Sequence, residues 1–405
     1  MILINILTLL IYNYLIKATK IIDYENNFLI QRNKRAIHKN SDYTWQQYKI
    51  YYKVDPTITD QSNIHFALEE ISSLSCFTFE RLLRNDSTDN RKQGLYFRVH
   101  DNYGTHLGRK LNFGRFQNIS LNAAQSPAFT VMRWVLYALG MDFEHNRPDR
   151  NDYLIINKDN IQKQFHKYLR RNKKKRMETF GLNYDYNSIM SLGEFDMGID
   201  QSKKTFERIQ KVDYRLNKNN EHLSENDVYL LNKNYCLRHC ENRLYCFNGG
   251  IQSHRNCYAC LCPKYFKGKY CQMFIFNTIS KCPLLDFEAK AEYDQITIHL
   301  INQCTYSLTS KPGTIIEMNY EFYEVKERKE YLSDEHNIGY IEILFEEDKS
   351  SKGIVLSNSK AKGRLYSEDN YIMIMANGSL PNKIVVVRYR QIPRNTRTDD
   401  LETKT

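Results

Sequence analysis

The stretch Ala138-Leu139-Gly140-Met141-Asp142-Phe143-Glu144-His145-Asn146-Arg147-Pro148-Asp149-Arg150-Asn151-Asp152-Tyr153 decides how the first half of the chain is read. It opens at the end of segment 129–140, which is apolar on nearly every face through Val131, Met132, Trp134, Val135, Leu136, Tyr137 and Leu139. Such a segment predicts a helix buried inside its domain, and Gly140 supplies the C-terminal stop. One cation interrupts it. Arg133 must find a carboxylate or reach water, because an unpaired buried charge is very costly.

Upstream, Ile50-Tyr51-Tyr52-Lys53-Val54 reads as a strand, and Ile64, Ala67, Leu68, Ile71 and Leu74 recur at helical spacing, so that this helix buries one stripe. Further strands are expected at 95–99 and 118–121. Mixed helices and strands make this segment α+β. Downstream, residues 236–271 become cysteine-dense and loop-rich, too small to hold together by burial alone. Residues 282–393 return to alternating runs such as Gln295-Ile296-Thr297-Ile298-His299-Leu300 and Lys383-Ile384-Val385-Val386-Val387-Arg388-Tyr389, which predict a β-sandwich. A chain of 405 residues has room for these two or three domains.

With 41% hydrophobic and 26% charged residues, the composition excludes a polytopic membrane protein and a wholly disordered chain. Lys+Arg 58 against Asp+Glu 47 leaves +11, mostly diffuse. Only Arg170, Arg171, Lys173, Lys174, Lys175 and Arg176 form a dense run. The run lacks the interleaved aromatics that stack on bases, so no nucleic-acid partner is expected, and it reads as a solvated loop or a glycosaminoglycan patch. Residues 1–16 are uncharged and rich in Ile, Leu and Tyr, as in a signal peptide (1–18). They are short for a membrane span, so secretion without a stable span is expected, with an uncleaved anchor as the alternative. Arg32-Asn33-Lys34-Arg35 before Ala36 suits a processing protease and marks 19–35 as a propeptide or a charged linker. Sequons stand at Asn85, Asn118 and Asn377, and residues 394–405 read as a tail. Of ten cysteines, Cys76 stands apart while Cys236, Cys240, Cys246, Cys257, Cys260, Cys262, Cys271, Cys282 and Cys304 crowd together. An oxidising compartment favours five disulfides over a zinc cluster at Cys257-x-x-Cys260-x-Cys262.

The quoted stretch resembles the zinc-helix region of the astacin family of secreted metzincin endopeptidases, H-E-x-x-H-x-x-G-x-x-H-E followed by H-S-R-P-D-R-D-D-Y. Tyr184-Asp185-Tyr186-Asn187-Ser188-Ile189-Met190 resembles its Met-turn, Val54-Asp55-Pro56 its start and Leu223-Ser224-Glu225-Asn226-Asp227 its closing L-S-x-x-D. The resemblance implies a two-lobed astacin-like domain over 36–236. It also implies a small disulfide-rich EGF-like module over 237–272 and a CUB-like β-sandwich over 282–393, in the nematode arrangement. For the cysteines it implies pairing of Cys76 with Cys236 and, in the EGF-like module, first to third, second to fourth and fifth to sixth. Cys282 and Cys304 resemble the start of a CUB domain. The acidic lead-in of calcium-binding EGF modules is missing, so no Ca²⁺ is expected there.

At the centre the pattern fails. The family's three zinc-binding imidazoles fall at Arg133, Tyr137 and Phe143, its general-base glutamate at Trp134, and its Met-turn tyrosine at Leu192. A cation, a phenol and an arene are poor replacements for neutral imidazoles, so no zinc or other cofactor is expected and the chain reads as a pseudoprotease. The resemblance further implies that Met190 lies beneath the former metal site. It implies too that Glu144 meets a freed N-terminus at Ala36, the bland alternative being a surface pair of Glu144 with Arg147 or Arg150. Arg133 is expected to point into the old cleft and hold a peptide carbonyl or carboxylate, or else to pair with a nearby acid.

Three functions follow: an inactive secreted homologue that binds extracellular proteins or peptides, an active metalloendopeptidase with a shifted site built from His145, Asp142 or Glu144, or a glycosaminoglycan-adhesive protein acting through 170–176. Arg133, Trp134, Tyr137 and Phe143 are expected to converge at the base of a groove. Serine catalysis lacks its Gly-x-Ser-x-Gly elbow, and paired cysteines leave no thiol nucleophile.

Overall fold

The computed structural model describes residues 37–38, 43–82, 92–101, 103–110, 115–121, 126–173, 177–178, 184–209, 222–275, 286–300, 303–324, 340–347, 353–356, 362–378 and 383–394, with residues 180, 182, 282 and 349. The expected leader, residues 19–36 with the basic tetrapeptide and Ala36, Asn85, residues 174–176 and the tail beyond 394 lie outside them.

After a two-residue strand, β1 (Ile37–His38), strands and helices alternate: β2 (Lys49–Val54), α1 (Ser62–Leu74), β3 (Thr78–Arg81), β4 (Gly94–Val99), β5 (Phe116–Leu121) and α2 (Ala128–Ala138). The four longer strands form a parallel sheet in the order β3-β2-β4-β5. The expected strands start one or two residues earlier than their apolar runs. The stripe Ile64, Ala67, Leu68 and Ile71 of α1 is buried as its spacing predicts, and it packs with α2 into one core with the sheet.

α2 ends on a left-handed Gly140 at φ 94°. Met141 N–H donates to the Leu136 carbonyl and Gly140 N–H to the Tyr137 carbonyl, both at 3.0 Å, the paired bonds of a Schellman stop. Two more end carbonyls are capped from afar: Trp45 Nε1 donates to Ala138 at 2.8 Å and the Tyr235 hydroxyl to Leu139 at 2.6 Å.

Below α2 the chain runs through short 3₁₀ turns, β6 (Leu154–Ile156), β7 (Met177–Glu178), β8 (Phe206–Arg208) and α3 (Glu225–Tyr235). β6 pairs with β8 and β1 with β7, while Ile37 also bridges to Met141. α3 begins with a capping box. Ser224 Oγ accepts from Asp227 N–H at 3.1 Å, and Asp227 Oδ2 accepts from Ser224 N–H at 3.0 Å. Its C-terminal Cys236 is bonded to Cys76 across 160 residues.

The next segment forms two minimal hairpins, β9 (Ile251–Gln252) with β10 (Cys260–Leu261) and β11 (Phe266–Lys267) with β12 (Met273–Phe274). Cys240–Cys257, Cys246–Cys260 and Cys262–Cys271 tie it together, the EGF-like connectivity. The rest is a two-sheet sandwich of β13 (Asp286–Glu288), β14 (Asp294–His299), β15 (Cys304–Thr309), β16 (Thr314–Glu324), β17 (Tyr340–Leu344), β18 (Ile354–Leu356), β19 (Lys362–Tyr366), β20 (Tyr371–Asn377) and β21 (Lys383–Pro393). The sheets run β13-β15-β20-β17-β18 and β14-β21-β16-β19. Inward residues such as Ile298, Met318, Ile341, Ile374 and Val387 fill the space between them, and Cys282–Cys304 closes its start.

The EGF-like module is seated on the sandwich. Phe266 and Cys271 share an apolar cluster with Leu344 and Met373, and the Tyr265 hydroxyl donates to Glu342, whose buried carboxylate also lies 3.6 Å from Lys264 Nζ.

Candidate functional site

The site grows from the last turns of α2. Residues four apart on a helix share a face, so α2 aims Arg133 and Tyr137 the same way, with Trp134 beside them. The Gly140 turn folds the chain back so that Phe143 reaches the same place.

Three of the four expected residues converge as rings. Trp134 stands edge-on to Tyr137 at 5.6 Å between centroids and to Phe143 at 5.7 Å, and Tyr137 and Phe143 are 5.4 Å apart. Tyr103 stacks on Trp134 from the sheet side at 6.4 Å, and Tyr168 meets it edge-on from the lower half at 6.4 Å. The Tyr168 hydroxyl also stands 3.6 Å from where a Cβ on Gly104 would be, so this one side chain spans the two halves. Trp134 and Phe143 are buried, at 7% and 1% exposure, while Tyr103, Tyr137 and Tyr168 are half-buried. Burial pushes the Tyr137 hydroxyl well above the ordinary tyrosine range. The floor is therefore aromatic and uncharged. Nothing in the local sequence pattern marks Tyr103, which lies in a loop, or Tyr168, which lies in a short 3₁₀ turn.

Arg133 corrects an expectation. Its guanidinium holds neither an acid nor an open cleft: Nε donates to the Ile189 carbonyl at 2.7 Å and Nη2 to the Ser191 carbonyl at 3.3 Å. It thus brackets Met190 from both sides. Burial lowers its pKa, and Asp196 and Asp227 oppose that. A guanidinium carries several fixed donors, and the turn at Ser188–Ser191 offers carbonyls within reach, so the cation is solvated by backbone dipoles instead of a counter-ion.

Met190 is buried in the core beneath this cluster, and its carbonyl accepts from Glu144 N–H at 3.1 Å. The turn is held from the other side by Asp227 of α3, which accepts from the Ser188 hydroxyl at 2.6 Å and Ile189 N–H at 2.8 Å. The motif that closes the domain therefore fixes the loop beneath the rings. Leu192, at the family's tyrosine position, packs as an apolar side chain against the core.

The residues proposed for a shifted site are held by other partners, although His145 Nδ1 is buried with no hydrogen-bond partner among the described residues. Asp142 accepts from Phe143 N–H at 2.7 Å, Asn146 Nδ2 at 3.0 Å and Asn172 Nδ2 at 2.6 Å. His145 Nε2 donates to the Tyr168 carbonyl at 3.0 Å, its ring stacks on Phe143 at 5.1 Å, and burial drives its pKa down to about 3. Glu144 is paired with Arg147 at 3.1 Å, and Arg147 is held again by Asp149 at 3.0 Å. This corrects the surface pairing weighed for Glu144, because the side chains of Glu144 and Arg147 are only 3% and 1% exposed. Arg150 instead donates to the carbonyls of His145 and Leu169. Burial dominates at Glu144 and pushes its carboxyl up to about 8, against the opposing charge of Arg147 and with Asp185 and Asp227 adding to the rise. No cluster of three His, Cys, Asp or Glu side chains fit to hold a metal exists among the described residues.

A shallow open depression lies beside the rings, lined by residues including His145, Tyr184, Leu192 and Arg208. Of the sequons, Asn118 is exposed on β5, whereas Asn377 is half-buried and donates to the Tyr340 hydroxyl at 3.1 Å. Arg170, Arg171 and Lys173 are exposed. No helix among the described residues is long and apolar enough to cross a membrane.

Comparison with known proteins places this arrangement. Residues 37–236 match the Astacin family of peptidases. Among curated relatives, the zinc metalloproteinase nas-36 of Brugia malayi is 30% identical over 246 residues, 60% of this chain and 41% of that one. The zinc metalloproteinase dpy-31 of Caenorhabditis elegans is 26% identical over 325 residues, 75% of this chain and 52% of that one. The chain thus spans about half the length of these relatives. Among solved structures, High choriolytic enzyme 1, a hatching enzyme zinc-protease from Oryzias latipes, aligns at 20% identity and TM-score 0.43 over 50% of this chain and 98% of that one.

Proposed function

Because this chain belongs to the astacin peptidase family through residues 37–236, we propose that it is a non-catalytic astacin homologue that acts outside the cell by binding a protein or peptide. The observation that carries this reading is the aromatic floor: Trp134, Tyr137 and Phe143 pack ring on ring where the family pattern calls for a base and two zinc ligands, and Arg133 serves the main chain. The residues present do not fit a zinc ion. A guanidinium and an arene cannot donate a lone pair, and burial keeps the phenol of Tyr137 protonated. With no group to activate water, hydrolysis has no route, while the half-buried faces of Tyr103, Tyr137 and Tyr168 remain as contact surface for an apolar or aromatic side chain.

Processing before Ala36 fits the same reading. A new ammonium delivered close to Met141, where Ile37 already bridges, would supply the buried carboxylates Glu144, Asp149, Asp185 and Asp227 with a second cation beside Arg147. Maturation would then order the domain without switching on chemistry.

The competing reading, an active peptidase with an unconventional centre, is separated by experiment. The purified chain is analysed for bound metal and assayed on casein and denatured collagen, with and without a chelator. Stoichiometric zinc with chelator-sensitive cleavage would refute the proposal.

A further inference from the structure

The aromatic floor leaves the charge of the EGF-like module unexplained. Residues 237–275 carry Arg238, Arg243, Arg255, Lys264, Lys267 and Lys269 against one acid, Glu241. Among the described residues only Lys264 of these six is ion-paired, with Glu342.

Local structure gathers several of them on one face. The Cys240–Cys257 bond brings those Cα atoms to 5.6 Å. Gln252 Nε2 donates to the carbonyls of Asn242 at 2.7 Å and Cys257 at 2.8 Å, and its Oε1 accepts from Leu244 N–H at 3.2 Å. The loops 238–243 and 254–258 are thereby laid side by side. The rings of His239 and His254 stand 6.2 Å apart, and Tyr48 of the first domain meets His239 at 5.3 Å. Arg255 spends one N–H on the Ser72 carbonyl at 3.4 Å. Burial, then His239 and Arg255, lower the pKa of His254 to about 4, and Arg243 adds to burial in lowering that of Lys233. Arg255 thus stands beside an uncharged His254 and Arg243 beside Lys233, with Glu241 the one carboxylate of the module, a local excess of positive charge that an anion relieves. The most exposed large apolar side chains of the module are Tyr258 at 71%, on the 254–258 loop, and Tyr245 at 59%, two residues after Arg243.

We propose that this face of the EGF-like module binds a sulfated polysaccharide of the glycosaminoglycan type. Guanidinium forks match the planar oxygens of sulfate and carboxylate two at a time, and exposed phenol rings offer apolar faces to the C–H faces of sugar rings. An acidic peptide fits less well. β9 and β10 are two residues long, too short to accept a peptide as an added strand. A linear polyanion needs no edge, only charges and flat rings along a convex surface. The site is distinct from the basic run at 170–176.

The test uses the full secreted chain, titrated with a heparin oligosaccharide at several salt concentrations. Wild type binds with a steep salt dependence. Arg243→Glu with Arg255→Glu weakens binding at least about tenfold and removes about two units from the log–log salt slope. The milder Arg243→Gln with Arg255→Gln weakens it in the same direction, and non-reducing mass analysis shows whether the five disulfides survive. Tyr258→Ala weakens it about threefold without changing the slope. Arg170→Glu, Arg171→Glu and Lys173→Glu together change it less than about twofold. Unaltered binding by the Arg243/Arg255 variants, loss confined to the 170–173 variant, or competition by polyglutamate equal to that by heparin would each overturn the proposal.

Discussion

Arg133 is a single residue that joins the helix under the rings to the loop beneath them. Its two bonds to the carbonyls of Ile189 and Ser191 link α2 to the loop around Met190. Arg133→Met keeps the length of the side chain but leaves buried carbonyls unpaired, and is expected to lower unfolding stability by about 2–4 kcal/mol in chemical denaturation. Glu144 supplies a pH dependence. Its carboxyl titrates near 4.5 in the unfolded chain and is raised to about 8 in the fold by burial, so the folded state holds a proton that the unfolded chain has released. Stability therefore declines as pH climbs from 4.5 through 8, by on the order of 3 kcal/mol between pH 5 and 8, for a chain that keeps residues before Ala36. Glu144→Gln flattens that decline in melting curves, and so does processing that places an ammonium beside Glu144. The positions where the family pattern calls for a base and zinc ligands could be named only from the resemblance, to which helical spacing adds that Arg133 and Tyr137 share a face of α2. The partners of Arg133 were not legible in the sequence, since they lie 56 and 58 residues away and are main-chain atoms of unremarkable residues.

At the scale of elements, the stability of the site depends on how α2 ends and α3 begins. Gly140→Ala forces a β-carbon into φ 94° and is expected to cost about 1 kcal/mol, read from denaturation midpoints. Asp227→Ala leaves the Ser224 cap in place but removes the reciprocal half of the capping box, together with the anchor of Ser188 and Ile189, and a loss of about 2–4 kcal/mol is expected. α1 was readable because its apolar residues repeat with period 3.6, α2 because it is apolar on nearly every face, and the sandwich strands because their apolar residues alternate. β1, β6, β7 and β8 were not, being two or three residues long and fixed by pairing with distant segments. The EGF-like disulfide pairs could be anticipated only from the family resemblance, because six cysteines alone permit fifteen pairings.

For the whole molecule, the three parts make a connected body in which the EGF-like module is fastened at both ends. Arg255 and His239, through Ser72 and Tyr48, tie it toward the first domain, and Tyr265 and Phe266 seat it on the sandwich. Tyr265→Ala is expected to leave each core intact yet loosen that seat, seen as faster proteolysis within residues 237–275. Nothing in the sequence revealed this junction, since Tyr265 and Glu342 are 77 residues apart and an acid on a strand reads as solvent-facing. Glu342 is instead 1% exposed. We propose that an astacin scaffold here has exchanged its metal centre for an aromatic floor. This is tested most directly by elemental analysis of the purified, processed chain coupled to hydrolysis of denatured collagen. Substoichiometric zinc and no turnover are predicted, whereas one tightly held zinc per chain, with cleavage abolished by its removal and restored by its return, would contradict it.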